Sequence, residues 1–311
     1  MSPPPEDAER LCLMAVHAHP DDEASKGPGT VARAHAEGVR TVLVCCTGGE
    51  QGEILNPAMD TDDVRERLAE VRMEELAASM AIIGYDELVL LGYRDSGMAG
   101  TPANDDPECF ARADHDEAVG RLVEAIRRYR PQVLVTYGDD QRGYPHPDHL
   151  RVHEISVAAF EAAGDPAAFP GSGEPWQPLK LYYTVWSRAR VVATHERFLA
   201  LGLESPFGDW LEHPDQDERI TTRVDITDFA DVRPLALLAH RTQVDPESRM
   251  WFGLPPEEAR TVHPFEEYVL ARSLVDADPV EVTDSLADSA SRDTAPYEDG
   301  LFAGLRPRVV H

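Results

Sequence analysis

The 311-residue chain is poor in basic residues, and nearly all of those it has are arginine. Lys26 and Lys180 are the two lysines, against 57 aspartates and glutamates, and the formal net charge is −28. Because nucleic acids and anionic membranes are bound through basic patches, this charge argues against either as a partner. The scarcity of lysine also makes Lys26 conspicuous, since it lies beside a cluster of histidines and acidic residues.

Cysteines and long apolar runs are also scarce. Cys12, Cys45, Cys46 and Cys109 show no CxxC spacing; the first three lie in strand-like runs as predicted buried thiols, and Cys109 lies in a predicted loop. No apolar run approaches the roughly 20 residues of a membrane helix. The opening segment, MSPPPEDAER, is proline-rich and acidic and has no basic region of a secretory signal. We therefore expect a cytoplasmic protein.

Strand and helix patterns alternate along the first half of the chain. The predicted strands are 11–18, 39–47, 87–92 and 132–138, and the predicted helices are 29–38, 63–84, 116–130 and 146–164. Such alternation predicts parallel strands joined by right-handed crossovers. The expected fold class is α/β, with an open, mostly parallel, Rossmann-like sheet and helices on both faces.

The composition divides the chain into three predicted regions. Residues 1–163 form the Rossmann-like domain, and 164–275 form a smaller C-terminal α/β continuation layered onto it. Within that continuation, strands are expected near 179–187, 220–226 and 266–273, and helices near 195–203 and 230–243. Residues 276–311 form an acidic tail, whose apolar end, GLFAGLRP, we expect to dock back onto the domain.

Two histidine–aspartate motifs follow predicted strands: AVHAHPDDEASKG at 15–27 and GYPHPDH at 143–149. In open parallel sheets, ligands bind beyond the carboxyl ends of the strands, where the strand order reverses. If these strands flank that point, the motifs converge. Histidine nitrogen and carboxylate oxygen suit zinc and ferrous iron, and a catalytic site keeps one coordination position for water. The pair of motifs therefore predicts a hydrolytic metal site.

The motifs offer more candidate groups than a metal can bind. They are His17, His19, Asp21, Asp22, His146, Asp148 and His149. One carboxylate must stay beside the metal to accept a proton from water, and His17, inside a strand, is favoured as a core or supporting residue. Either motif alone is more typical of a helix N-cap. Two proline-containing copies, each after a strand, favour the metal site.

The chain resembles the PIG-L/LmbE-like zinc-dependent N-deacetylase superfamily in its two motifs, AHPDDE and HPDH. It also resembles the superfamily in the segments RMEEL, YRDSGM and AHRTQVDP. The resemblance covers most of the chain. It implies that His19, Asp22 and His149 bind Zn²⁺, with Fe²⁺ as the alternative metal, and that Asp21 acts as the general base.

The resemblance also implies roles for two residues of the second motif. His146 would stabilise the negative charge on the carbonyl oxygen and help to protonate the leaving amine, and Tyr144 would be a mobile tyrosine that reaches the carbonyl. A non-catalytic metal-binding or sugar-binding protein is the alternative from another class. The presence of both Asp21 and His146 argues against it, because a binding site needs no general base.

Within the superfamily, the likeness is greatest to the branch that hydrolyses mycothiol S-conjugates. It implies a small thiol–sugar conjugate as partner and cleavage of its cysteinyl–glucosamine amide to a mercapturic acid and glucosaminyl-inositol, a detoxification. The alternatives are deacetylation of N-acetylglucosaminyl-inositol in mycothiol biosynthesis, or of another small glycoconjugate. Lys26 discriminates between them, since the deacetylases tend to have a small residue there. The sequence leaves the oligomeric state open.

Five further residues are predicted to bind substrate. By resemblance, Arg72 and Asp95 contact the sugar and inositol hydroxyls, and His240 and Gln243 close the pocket from the C-terminal region. Glu50 either binds hydroxyls or stabilises a turn. The residue pattern alone would place Arg72 on a solvated helix face, and His240 and Gln243 at an ordinary helix end.

Overall fold

The computed structural model describes residues 10–275 and 297–305. Its strands are β1 (Cys12–His17), β2 (Arg40–Thr47), β3 (Glu87–Tyr93), β4 (Val133–Tyr137), β5 (Lys180–Val185), β6 (Thr222–Asp225) and β7 (Phe265–Ser273). Its α-helices are α1 (Asp22–Ser25), α2 (Pro28–Ala36), α3 (Asp62–Glu66), α4 (Leu68–Ile83), α5 (His115–Tyr129), α6 (Pro147–Ala162), α7 (Arg188–Ala200), α8 (Val232–Ala239), α9 (Arg249–Phe252) and α10 (Pro256–Val262). None of these helices is long and apolar enough to cross a membrane.

The seven strands form one sheet in the order β3-β2-β1-β4-β5-β7-β6. Strands β1 to β5 pair in parallel, whereas β7 pairs antiparallel with β5 and β6. In the centre, Ala15 of β1 lies opposite Leu43 of β2 and Val135 of β4. The predicted α/β fold with a mostly parallel sheet is therefore confirmed, and the C-terminal strands extend that same sheet.

Helices cover both faces of the sheet, as predicted. Every residue of β1 is buried, and alternate side chains point to opposite layers because a strand has a two-residue period. Met14 packs in the layer that holds Leu122 of α5 and Ile155 of α6. Leu13 packs in the other layer, which α2, α4 and α8 cover and which includes Leu76.

Two helices differ from the sequence prediction. The helix predicted over 63–84 is broken into α3 and α4 at Arg67, where φ is −115°. None of the residues of α3 is buried, so no core contact keeps it in line with α4. Helix α7 begins at Arg188, several residues before the predicted 195–203, because the Ser187 hydroxyl accepts the N–H of Arg190 as an N-cap.

All four cysteines are buried and unpaired, Cys109 included.

Part of the predicted tail packs against the sheet. Leu301 and Phe302 are buried in the layer of α2 and α8, and Glu298 accepts hydrogen bonds from Lys180 Nζ at 2.8 Å and from the Tyr182 hydroxyl. Residues 276–296, which carry most of the predicted acidic tail, and 306–311 lie outside the described residues.

Candidate metal centre

The two motifs meet at the centre of the sheet. Strands β1 and β4 are neighbours, and the strand order reverses between them. His19 and Asp22 follow β1, while His149 lies in the first turn of α6, which follows β4. Their ligand atoms, although far apart in sequence, lie within 4.8 Å of one another, and all three residues are buried.

The spacing of these three side chains fits a metal ion. Asp22 Oδ2 lies 3.5 Å from His19 Nδ1 and 3.3 Å from His149 Nε2. Nitrogen and oxygen ligands at 2.0–2.2 Å from a tetrahedral zinc ion are themselves about 3.3–3.5 Å apart. His19, Asp22 and His149 can therefore hold one divalent cation with a position left for water.

The far side of the His19 ring contacts two more carboxylates. Its Nε2 lies 3.1 Å from Asp148 Oδ2 and 3.5 Å from Asp95 Oδ1. Asp148 also accepts the Ser96 N–H at 3.0 Å and the Ser96 hydroxyl, and Asp95 accepts the Gly97 N–H at 2.8 Å. Carboxylates of this kind, behind a metal-binding histidine, orient its ring and set its tautomer.

With His146, these two carboxylates and His19 form a second group whose ligand atoms lie within 4.8 Å of one another. Its Asp148 and Asp95 oxygens are already bonded to backbone and hydroxyl donors, and His146 Nδ1 accepts the N–H of Asp148 at 3.1 Å. The first group suits a cation better, because two histidine nitrogens face one carboxylate oxygen, Asp22 Oδ2, at distances that fit a shared metal ion.

The three proposed ligands differ in the direction in which their surroundings shift the pKa. Burial acts to lower the pKa of His19, but hydrogen bonds to its three neighbouring carboxylates hold that pKa well above its usual value. Burial lowers the pKa of His149 to about 4, which leaves its ring neutral at neutral pH, as a metal ligand must be. Burial acts to raise the pKa of Asp22, but Lys26 and His149 keep it well below its usual value.

Asp21 is held beside this group by a buried arginine. Its backbone is left-handed (φ 115°), a conformation that costs a non-glycine residue about 1–3 kcal/mol. Arg72 donates from Nη2 to Asp21 Oδ2 at 2.9 Å and also to the carbonyl oxygens of Pro20 and Gly49. Burial raises the pKa of Asp21, against the opposing charge of Arg72.

Arg72 corrects the simpler interpretation of the sequence, because it is 2% exposed and not part of a solvated face. A Cβ on Gly49 would lie 2.3 Å from its guanidinium, so the glycine makes room for it. The prediction that Arg72 contacts substrate stays a prediction; three of its five N–H groups donate to protein oxygens.

The backbone of Asp21 is tied to a second buried network. Its N–H donates to Glu23 Oε2 at 2.9 Å, and Glu23 Oε1 bonds to the Ser79 hydroxyl and to His240 Nε2. His240 is fully buried. It therefore supports the loop of Asp21 from behind, and the predicted contact between His240 and substrate stays a prediction.

His146 and Tyr144 lie beside the centre, His146 buried and Tyr144 exposed. The His146 ring is 4.7 Å from the His19 ring, and burial together with the charge of His19 lowers the pKa of His146. Because His146 Nδ1 accepts a backbone N–H, the proton of the neutral ring lies on Nε2. Tyr144 is 57% exposed, with its ring 5.3 Å from that of His149.

The remaining predicted residues are divided between the cavity and the protein interior. Lys26 Nζ lies 2.5 Å from Asp22 Oδ1 and faces the cavity. Glu50 Oε1 accepts the N–H of Asp95 at 3.0 Å, the contact expected of a turn-stabilising carboxylate. Gln243 is half-buried next to Gly52, where a Cβ would lie 2.5 Å from Gln243 Oε1.

A cavity of about 530 Å³ opens from this centre. Lys26, Tyr144 and His149 line it at the metal end. Other lining side chains come from β5 and the residue after it, from the segment after α7 and from α9, among them Trp186, Trp210, Met250 and Trp251. This volume is in the ordinary range of small-molecule sites.

Sequence reasoning missed two residues that shape the centre. The Tyr137 hydroxyl donates to Asp22 Oδ2 at 2.7 Å and accepts the N–H of Ala18 at 2.8 Å, so it ties the ends of β1 and β4 together. Ser96 holds Asp148. Tyr137 is the last residue of β4, and Ser96 lies just after β3. Their positions at strand ends are the signal that could have identified them in the sequence.

Residues 14–160 match the model of the PIG-L family, described as GlcNAc-PI de-N-acetylase. The chain is 46% identical over 308 residues to the mycothiol S-conjugate amidase of Streptomyces coelicolor, covering 96% of this chain and 98% of the relative. It is 42% identical over 309 residues to a 1D-myo-inositol 2-acetamido-2-deoxy-alpha-D-glucopyranoside deacetylase of Streptomyces avermitilis, covering 95% and 97%. These relatives define the chain as a hydrolase of amides.

The chain belongs to the PIG-L family, as the two histidine–aspartate motifs predicted. Among solved structures, the conserved protein TT1542 of Thermus thermophilus superimposes with a TM-score of 0.55 at 26% identity, covering 88% of this chain and all of that chain. The N,N'-diacetylchitobiose deacetylase of Pyrococcus horikoshii gives a TM-score of 0.59 at 16% identity, with 85% of each chain covered. Both likenesses support the α/β fold.

Proposed function

We propose that this chain hydrolyses the cysteinyl–glucosamine amide of mycothiol S-conjugates, releasing a mercapturic acid and glucosaminyl-inositol in thiol-based detoxification. The observation that carries the reaction type is the convergence of His19, Asp22 and His149 beside a fourth group, Asp21, that stays off the metal position. The 46% identity to an amidase with this substrate name supports the substrate class.

His19, Asp22 and His149 would hold Zn²⁺, or Fe²⁺ in its place. When bound, the metal lowers the pKa of a water molecule toward 7 and polarises the amide carbonyl. Asp148 keeps the His19 ring oriented for this role, since its Oδ2 lies 3.1 Å from His19 Nε2.

The remaining chemistry falls to three side chains of the protein. Asp21, fixed by Arg72, accepts a proton from the attacking water as the bond to the carbonyl carbon forms. His146 carries its ring proton on Nε2, so it can donate a hydrogen bond to the carbonyl oxygen as negative charge develops there. The proton that Asp21 took from water then passes to the sugar nitrogen as the C–N bond breaks, and His146 keeps its Nε2–H on the carbonyl oxygen. Tyr144, exposed beside the centre, adds a second donor.

Lys26 supports the amidase over the deacetylase. Its ammonium contacts Asp22 Oδ1 and lines the cavity beside the metal position. The acyl part of a bound amide would extend from the sugar nitrogen into this cavity. A flexible ammonium at this point can bind the polar groups of an N-acetylcysteinyl substituent. A plain acetyl group offers no such partner.

Deacetylation of N-acetylglucosaminyl-inositol is the second candidate. Relatives with that name are 42% and 39% identical to this chain over nearly its full length. Both reactions break an amide on the same sugar nitrogen, so the centre described above serves either one.

The test is a paired assay of the zinc-loaded protein with mycothiol bimane conjugate and N-acetylglucosaminyl-inositol. We expect a larger kcat/KM for the conjugate. Because Lys26 also contacts the metal ligand Asp22, we expect Lys26→Ser to lower kcat/KM for both substrates, and by a larger factor for the conjugate. Preference for the acetylated sugar would overturn the amidase in favour of the second candidate. Activity on neither would reject both mycothiol-related substrates.

A further inference from the structure

Three of the four tryptophans of the chain line one wall of the catalytic cavity. The Trp186 ring lies 5.2 Å from that of Trp210 and 5.7 Å from that of Trp251, the latter in a T-shaped contact. All three are half-buried and remain open to the cavity. We call Trp186, Trp210 and Trp251 the tryptophan wall.

The tryptophan wall is held in place by its surroundings. The Arg190 guanidinium lies 4.4 Å from the centre of the Trp186 ring, a cation–π contact, and Trp210 contacts the rings of Phe207 and His213 at 6.3 and 5.5 Å. Rings restrained in this way lose little further freedom when a ligand binds, so they form a preorganised surface.

The position of this wall relates it to the acyl side of the substrate. It shares one cavity with Lys26, Tyr144 and His149, which lie at the metal end. A group attached through sulfur to the cysteinyl part of a conjugate lies several bonds beyond the scissile amide. An acetyl group ends directly at that amide and carries no group that could extend to the tryptophan wall.

We propose that the tryptophan wall binds the S-substituent of the conjugate and makes the enzyme selective for flat aromatic substituents over small aliphatic ones. The inference rests on the proposed amidase function and specifies which thiol conjugates that function serves. Aromatic groups stack against indole rings with a preference beyond that of buried area alone. The three indole rings carry no formal charge, so a neutral or electron-poor ring suits them best.

Trp210 is the residue that tests the wall. A second cavity, of about 480 Å³, is lined by Trp186 and Trp251 as well. Trp210 lines the catalytic cavity but not this second one, so a change at Trp210 tests the catalytic cavity alone. Trp176 is a matched control, because it lies outside both cavities and donates from Nε1 to the Pro131 carbonyl at 2.7 Å.

The experiment measures kcat and KM of the zinc-loaded full chain with S-benzyl mycothiol, S-methyl mycothiol and N-acetylglucosaminyl-inositol. For the unaltered chain we expect kcat/KM to be about tenfold larger with the benzyl than with the methyl conjugate. Trp210→Leu should remove most of this preference through KM, with the other two substrates changed less than twofold. Trp176→Leu should leave the preference intact, and thermal unfolding reports whether either variant is misfolded.

The outcomes separate the two levels of the proposal. Cleavage of both conjugates at equal kcat/KM, or a Trp210→Leu variant that loses activity equally on all three substrates or on none, would overturn the tryptophan wall as a specificity site while leaving the amidase standing. Cleavage of the acetylated sugar alone would overturn the amidase, and the wall's role with it.

Discussion

The stretches HAHPDD at 17–22 and YPHPDH at 144–149 share the same spacing of His, Pro and Asp near the end of a strand. Their equivalent aspartates nevertheless point in different directions, because the backbone conformation differs. Asp21 and Asp148 occupy equivalent positions after His-Pro. Asp21 has a left-handed backbone, with φ 115°, whereas Asp148 lies in the first turn of α6. The same residue type thereby points in two different directions.

The two aspartates end in different surroundings. The Asp21 side chain is about a third exposed and is held by Arg72 next to the donor group. Asp148 is fully buried between Ser96 and His19. The partly exposed Asp21 carboxylate can exchange a proton with water, whereas the buried Asp148 carboxylate can only orient its neighbours. A motif match alone therefore assigns no role to an aspartate; its backbone conformation and exposure do.

The first prediction tests the role of Asp21 in this comparison. In Asp21→Asn we expect kcat to fall about 10³-fold, because an amide cannot take the proton of the attacking water. Zinc content, measured by elemental analysis, should stay near one equivalent, since the donor group of His19, Asp22 and His149 is unchanged. A variant that retains turnover, or one that loses its zinc, would contradict the assignment of Asp21 as the general base.

The equivalent change at the second motif should act on the metal instead. In Asp148→Asn we expect zinc affinity, measured by competition with a chelating dye, to fall about 10–100-fold, because the His19 ring loses its orienting carboxylate. Saturating zinc should restore most of kcat, unlike in Asp21→Asn. Thermal unfolding serves as the control for misfolding, and an unchanged zinc affinity would show that Asp148 does not orient His19.

The sequence was sufficient for the fold and for the meeting of the motifs. Strand and helix periods along the first half are strong, and groups that follow neighbouring parallel strands must lie at one edge. The antiparallel insertion of β7 between β5 and β6 was not predictable in this way. Strand order depends on long-range packing, which leaves no local period in the sequence.

The support of the centre was harder to predict for the same reason. Arg72 lies in a charge-rich helix, where a solvated position is the usual outcome, and its burial depends on a glycine in a distant turn. His240 has the sequence pattern of an ordinary helix end, yet it bonds to Glu23 across 217 positions of sequence. Such contacts depend on tertiary structure and not on spacing.

The smallest predicted effect concerns His17. It lies two positions before His19, as Tyr144 lies two positions before His146. Tyr144 is 57% exposed, whereas His17 is fully buried and neither of its ring nitrogens has a hydrogen-bond partner among the described residues. Burial lowers the pKa of His17 to about 4. In the unfolded chain its pKa is about 6.5, so below that pH the unfolded state takes up a proton that the folded state does not.

The stabilising contribution of neutral His17 is therefore complete above about pH 6.5 and is lost as the pH falls toward 4. Between about pH 7 and 5.5 this amounts to about 1 kcal/mol in the free energy of unfolding. The measurement is urea unfolding at about pH 7 and pH 5.5, with a chelator present to remove the pH dependence of metal binding. Between these two pH values, the free energy of unfolding should fall by about 1 kcal/mol less in His17→Leu than in the unaltered chain. Equal losses in the two proteins would mean that His17 does not titrate differently on folding, and that the contrast with Tyr144 is one of exposure alone.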